Sequence, residues 1–266
     1  MDTRLFALVL TTSLATVSPA SAQSPVLDRI LESRELRVAT SGTQPPFNAV
    51  SRDQELIGLE VDLARMLADA MNVNLTLTSM PFPDLLPALK DGKVDMVLSG
   101  LAITPARIRE VAFVGPYLLS GKSVLTDGRR LTSMKGPRDL DIPELTLVAL
   151  ADSTSVDYVK RVAPKAKLVT TPNYEAAVQM ILSDTADAMI ADMPVCILTV
   201  LRNPNRDLAT PSRPFTVEPV GIALPTSDER FRNLVEAYVD AFEKTGALEE
   251  LRARWLSGGE WIAQLP

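Results

Sequence analysis

Histidine is absent from all 266 residues, and cysteine occurs once, at Cys196. Without histidine, the usual Ser/His and Cys/His nucleophile pairs and most zinc sites cannot be assembled. A single cysteine excludes an intrachain disulfide, so an exported fold has to stand on its core alone. Cys196 lies among Val195, Ile197 and Leu198, which suits a buried apolar filler rather than a catalytic thiol. The chain also lacks a Gly-rich phosphate loop and a dinucleotide fingerprint. No cofactor or metal is expected. Nor is there a basic block, and the net charge of −6 argues against nucleic acid and anionic membrane surfaces as partners.

Long apolar runs are missing except at the N-terminus. There, Arg4 supplies a thin positive region, Leu5–Leu14 an apolar core, and Ala20-Ser21-Ala22 an A-x-A cleavage site. The run is too short to span a bilayer, so residues 1–22 read as a signal peptide. An uncleaved N-terminal anchor is the alternative. The mature chain would be Gln23–Pro266, periplasmic, and long enough for one large or two medium domains. Asp2 and Arg4 cancel, so cleavage leaves the charge unchanged.

The most informative stretch is Asp95–Tyr117. Its apolar run Met96-Val97-Leu98 stops at the small residues Ser99 and Gly100. Thr104-Pro105 then signals a helix start, with Thr104 able to cap and Pro105 suited to the first helical position. Strand, small-residue turn and helix N-terminus together aim free backbone N–H groups at one spot, an anion site. Arg107 adds a planar donor fork that fits a carboxylate. The alternative is an ordinary strand-to-helix turn whose Arg faces solvent.

A faint internal repeat runs through the chain. Glu35–Ala39 and Glu144–Ala149 are β-rich runs followed by polar, small-residue loops. Asp91–Ser99 parallels Asp184–Asp192: each places a turn, then an Asp, then a strand with a polar end. Helical periodicity covers Leu59–Ala70, with Leu59, Leu63, Met66, Leu67 and Ala70 on one face, and also Tyr174–Leu182 and Phe231–Phe242. Gly246 breaks the last pattern before Ala247–Trp255. Strands alternating with helices imply βαβ units in mostly parallel sheets, and two copies imply two α/β lobes. Extended segments at Ser120–Thr126 and Arg213–Val220 mark the lobe boundaries.

Asp95–Tyr117 resembles the signature of periplasmic amino-acid-binding proteins (solute-binding protein family 3), the solute receptors of ABC importers. Leu36–Thr40 leading to Pro45-Pro46-Phe47, Gly58–Ala64, Leu86–Leu89, Gly92-Lys93 and Gly221-Ile222-Ala223 also fit that family. The resemblance runs from about Leu27 to Trp255. It implies two Rossmann-like lobes joined by a two-segment hinge, the type II periplasmic binding protein fold. Residues 23–122 and 216–266 would form lobe 1, and 123–215 lobe 2. A small zwitterionic solute would lie between them, the partner would be an inner-membrane permease, and the receptor would be a monomer.

By the same resemblance, Arg107 and Thr154 would hold the solute's carboxylate and Asp192 its ammonium. Ser99 and Gly100 would offer backbone groups, and Phe82 would stack on the solute's side chain. Each has a plainer alternative: Thr154 with Asp157 as a capping-box variant, Asp192 as a turn residue, Phe82 as core. Four positions depart from the family pattern. Ala102 stands where Ser or Thr is usual, Gln44 where an aromatic wall is common, Asp152 in place of a Gly of the anion loop, and Ser41 in place of an acid. Periplasmic cyclohexadienyl dehydratases share the scaffold, and Leu27–Ser33 resembles their opening. They carry a catalytic Glu shortly after the Asp matching Asp192, whereas here Met193-Pro194-Val195-Cys196 follows. The reading is therefore a receptor and not an enzyme.

Overall fold

The computed structural model describes residues 24–266, so the expected signal peptide lies outside the described residues. The chain opens with α1 (Pro25–Ser33), which buries Leu27 and Ile30. It continues into β1 (Glu35–Thr40) and a small antiparallel sheet of β2 (Thr43–Gln44), β3 (Asn48–Val50) and β4 (Leu56–Ile57). α2 (Leu59–Ala70) has the expected bounds, but its buried arc is wider than one stripe. Val61, Ala64 and Ala68 are buried with Leu59, Leu63 and Leu67, while Met66 is only partly covered and Ala70 is exposed. The reason is that α2 packs on the sheet with one side and on the C-terminal helices with another. β5 (Asn74–Ser79), α3 (Leu85–Lys90), β6 (Met96–Val97), α4 (Pro105–Ile108) and β7 (Ala112–Ser120) follow.

The second half begins with β8 (Lys122–Asp127) and α5 (Gly128–Ser133). Then come β9 (Thr146–Leu150), α6 (Thr154–Val162), β10 (Lys167–Thr171), α7 (Tyr174–Leu182), β11 (Ala188–Asp192), α8 (Met193–Arg202) and β12 (Leu208–Ala209). β13 (Glu218–Leu224) returns to the first sheet, and α9 (Glu229–Thr245) and α10 (Ala247–Arg252) close the chain. Gly246 stops α9 in the left-handed region at φ 82°, a conformation that favours glycine. α10 is shorter than the Ala247–Trp255 pattern, because the turns widen over Ala253–Ser257.

The sheets have the orders β5-β1-β6-β13-β7 and β10-β9-β11-β8-β12. Within each, the first three strands run parallel in the same relative order, and an antiparallel strand follows. The repeat read from the sequence is thus two α/β lobes of one plan. Its Asp residues do matching work. Asp95 Oδ2 accepts from Arg37 N at 2.8 Å and Asp187 Oδ2 accepts from Thr146 N at 2.8 Å. Each Asp N–H also donates to the carbonyl of the same residue, at 2.8 Å in both cases.

The chain passes between the sheets at Gly121 and again between Phe215 and Glu218. The two passages touch backbone to backbone: a Cβ on Gly121 would lie 1.9 Å from the Thr216 carbonyl oxygen, so no other residue fits there. Phe215 N donates to Lys122 O at 2.7 Å, and Lys122 N donates to Thr216 Oγ1 at 2.8 Å.

Candidate functional site

Arg107 is placed as its sequence context demands. Thr104 caps α4 by accepting from Arg107 N at 3.2 Å, with Pro105 in the first position. The guanidinium does not face open solvent. Its Nη1 donates to Ala102 O at 3.0 Å, and its Nη2 reaches across the lobes to Asp152 O at 3.4 Å. It lies 5.8 Å from the centre of the Phe82 ring. Both protein partners are carbonyls, and Arg107 forms no ion pair among the described residues. Burial pushes its pKa below the usual arginine value, while Asp192, Glu218 and Asp157 act at longer range in the opposite sense. Ala102 therefore matters through its carbonyl: it is buried and bridges Val220, so the expected loss of a side-chain hydroxyl leaves a backbone anchor for Arg107.

Asp192 ends β11, and the antiparallel register sets it opposite Lys122 on β8. Cross-strand partners share a face, and these two meet: Lys122 Nζ lies 3.0 Å from Asp192 Oδ1 and 3.1 Å from Glu218 Oε2. Only 2% of the Lys122 side chain is exposed, which an ammonium tolerates when it is paired. Ser120 Oγ at 3.4 Å and the Tyr174 hydroxyl at 3.5 Å complete the surroundings of Asp192. Sequence reasoning missed Lys122 and Glu218. The one available signal was a lysine inside the β-rich boundary segment Ser120–Thr126, and its meaning depends on which strand lies opposite.

Thr154 does not cap α6. Ser153 is the N-cap, with extended backbone at φ −91° and ψ 160°, whereas Thr154 is already the first helical residue. The hydroxyl of Thr154 donates to Glu218 Oε2 at 2.9 Å, tying α6 to the returning strand β13. The capping-box expectation fails because the chain enters the helix one residue earlier than the Thr154/Asp157 spacing requires. The neighbouring Ser155 hydroxyl is buried and has no partner among the described residues.

Gln44, Ser99 and Gly100 do come together, but in a buried polar network. Ser99 Oγ donates to Gln44 Oε1 at 2.7 Å and accepts from Ser41 N at 3.1 Å. Ser41 Oγ lies 2.8 Å from Asn48 Oδ1. Asn48 Nδ2 and Gly100 N each donate to Glu60, both at 2.6 Å, and the Tyr117 hydroxyl donates to it as well. The Gly100 N–H, expected to face a solute, is thus engaged by Glu60. Burial raises the Glu60 pKa, against the bonds from Tyr117, Gly100 and Asn48, which favour the carboxylate. Burial likewise lifts Tyr117 well above the ordinary tyrosine value. Cys196 is a buried filler whose thiol burial pushes up to about 12. Among the described residues, no cluster of His, Cys, Asp or Glu could hold a metal ion.

A model of the bacterial extracellular solute-binding proteins, family 3, matches residues 36–258. A cyclohexadienyl dehydratase of Pseudomonas aeruginosa is 30% identical over 91% of this chain and 91% of its own length. The ABC transporter arginine-binding protein 1 of Escherichia coli K12 is 25% identical, with 83% of this chain and 90% of that protein covered. Among solved structures, a binding component of an ABC transporter from Wolinella succinogenes complexed with lysine superposes with a TM-score of 0.83 at 33% identity, covering 86% of this chain and 98% of that one. An ancestral amino-acid-binding protein, a precursor of cyclohexadienyl dehydratase, superposes with a TM-score of 0.80 at 31% identity, covering 86% and 99%.

Proposed function

This chain belongs to the bacterial extracellular solute-binding proteins, family 3, and from that premise we propose that it is the periplasmic receptor of an ABC importer for an amino-acid-like small solute. Lobe 1 is 23–122 with 216–266 and lobe 2 is 123–215. The solute enters between them, the cleft closes on it, and the loaded receptor docks on an inner-membrane permease as a monomer. One observation carries this reading: Arg107 is a half-buried cation at the junction of both lobes whose bonds are to two carbonyls. A carboxylate is the ligand group that completes such a site. Phe82 beneath the guanidinium, the Thr154 end of α6 and the Ala102 carbonyl support its position. Gln44, Ser99 and Gly100 back the site through their buried network, and Asp192 lines its other side.

The test is calorimetry and thermal denaturation of the Gln23–Pro266 chain against a panel of amino acids, betaines and small carboxylates. A ligand at one hundred times its Kd adds about 2.7 kcal/mol of stability by mass action. At least one panel member should do so, and a panel without a binder overturns the receptor reading.

A second reading, an enzyme of the cyclohexadienyl dehydratase kind, is favoured by the 30% identity over nearly the whole chain. An elimination needs a proton donor or acceptor within reach of the substrate. α8 opens with Met193-Pro194-Val195-Cys196 and supplies no acid. Lys122, Asp192 and Glu60 are among the buried titratable groups nearby. Incubation with prephenate and arogenate decides between the readings: no conversion is expected, and measurable turnover would establish the enzyme.

A further inference from the structure

A zwitterionic solute requires a cationic and an anionic partner in the cleft, and the anionic one is already occupied by a lysine. Lys122, Asp192 and Glu218 meet there, and Arg107 feels Asp192, Glu218 and the exposed Asp157 at longer range. Lys122 satisfies both carboxylates, at 3.0 and 3.1 Å, and its own side chain is 2% exposed. Asp192 has its remaining contacts with the hydroxyls of Ser120 and Tyr174, and Glu218 with those of Thr154 and Thr216. Asp192 and Glu218 are therefore both met by the protein's own donors. Of Arg107, Lys122, Asp192 and Glu218, Arg107 alone has no ion pair among the described residues, and its guanidinium hydrogen-bonds only to carbonyls. Electrostatic complementarity at Arg107 then calls for an anionic group, while the place beside Asp192 where an ammonium would bind is already taken by Lys122.

We propose that Lys122 is a specificity-determining residue that acts as a built-in ammonium on Asp192, so that the solute held at Arg107 is a carboxylate bearing no ammonium. This rests on the receptor reading above and names its solute class. A second ammonium bonded to Asp192 would sit within about 4–6 Å of Lys122 Nζ, where like charges in a buried site oppose each other. A 2-hydroxy acid or another neutral-headed carboxylate meets no such opposition, and its hydroxyl can accept from or donate to the Lys122–Asp192 pair.

The experiment uses matched solutes that differ only at this group: lactate and alanine, malate and aspartate, 3-phenyllactate and phenylalanine, 2-hydroxyglutarate and glutamate. Each is titrated into the wild-type Gln23–Pro266 chain by calorimetry, with glycine betaine and succinate added. The tightest binder should lack an ammonium, and within its pair the hydroxy acid should bind at least ten-fold more tightly than the amino acid. Lys122→Gln should narrow or reverse that preference by ten-fold or more, because Asp192 is then free to take an ammonium. If the tightest wild-type binder carries an ammonium, the proposal is overturned while the receptor reading stands. If none of these solutes and no member of the wider panel binds, the receptor reading falls and this proposal falls with it. The wild-type ranking decides the matter even if the Lys122→Gln variant fails to fold.

Discussion

At the scale of single residues, Lys122 is a buried cation and Arg107 a half-buried one. Lys122 is neutralised by carboxylates on two strands, whereas Arg107 is held by the carbonyls of Ala102 and Asp152 and by the Phe82 ring. Arg107→Ala should weaken binding of the best panel carboxylate by roughly 2–5 kcal/mol, because that carboxylate is left without its charged partner. The unliganded melting temperature should change little. Calorimetry that returns an unchanged affinity would remove Arg107 from the site. Arg107 was legible in the sequence because its neighbours Thr104 and Pro105 set the local backbone. Lys122 was not, because its partners Asp192 and Glu218 are far along the chain.

At the scale of elements, Asp228 joins the start of α1 to the start of α9. It caps α9 by accepting from Phe231 N at 2.9 Å, and it accepts from Val26 N and Leu27 N at the start of α1, both at 3.0 Å. The Ser24 hydroxyl donates to it at 2.9 Å. Asp228→Ala removes a cap and leaves several N–H groups without a partner, a loss of roughly 2–4 kcal/mol, read from urea denaturation at neutral pH. Burial alone would raise this carboxyl, but the bonds from Leu27, Phe231, Ser24 and Val26 outweigh it and hold the pKa below the ordinary 3.8. A depressed folded-state pKa means stability that is fully present above 3.8 and lost as pH falls through the lower folded value. The gap between wild type and Asp228→Ala should therefore be constant from pH 7 to about pH 5 and shrink below pH 4. A gap independent of pH down to pH 2 would show that the carboxylate's charge is not what stabilises the junction. The end of α9 at Gly246 was readable from sequence, and its start only to within a turn, because the Asp228 cap serves two helices at once.

At the scale of the whole molecule, the two lobes are connected where Gly121 lies against Thr216, a contact only glycine permits. The lobes also hold each other through Thr154 to Glu218 and Arg107 to Asp152. Delivery of a solute to a permease requires export first. Protein recovered from the periplasm of a Gram-negative host should begin at or near Gln23 and be soluble, as intact-mass measurement will show. A membrane-bound species retaining Met1 would overturn the signal-peptide reading.

The amino-acid sequence by itself determined the local structure and the repetition: the periodicity of α2 and α7, the Thr104-Pro105 helix start and the paired Asp-strand units. These depend on contacts a few residues apart or on patterns that recur, so they are written in order along the chain. It also determined what the protein cannot use, since a chain without histidine and with one cysteine has few routes to nucleophilic catalysis. Only the tertiary structure decided which charges neutralise which. Asp192 read alone is a carboxylate awaiting an ammonium, and the register of β11 on β8 delivers one from Lys122. Thr154 read alone is a cap, and the return of β13 turns its hydroxyl to Glu218. Electrostatic partnership acts through space, across separations of 70 and 96 residues for the Lys122 pairs, and no local pattern encodes it.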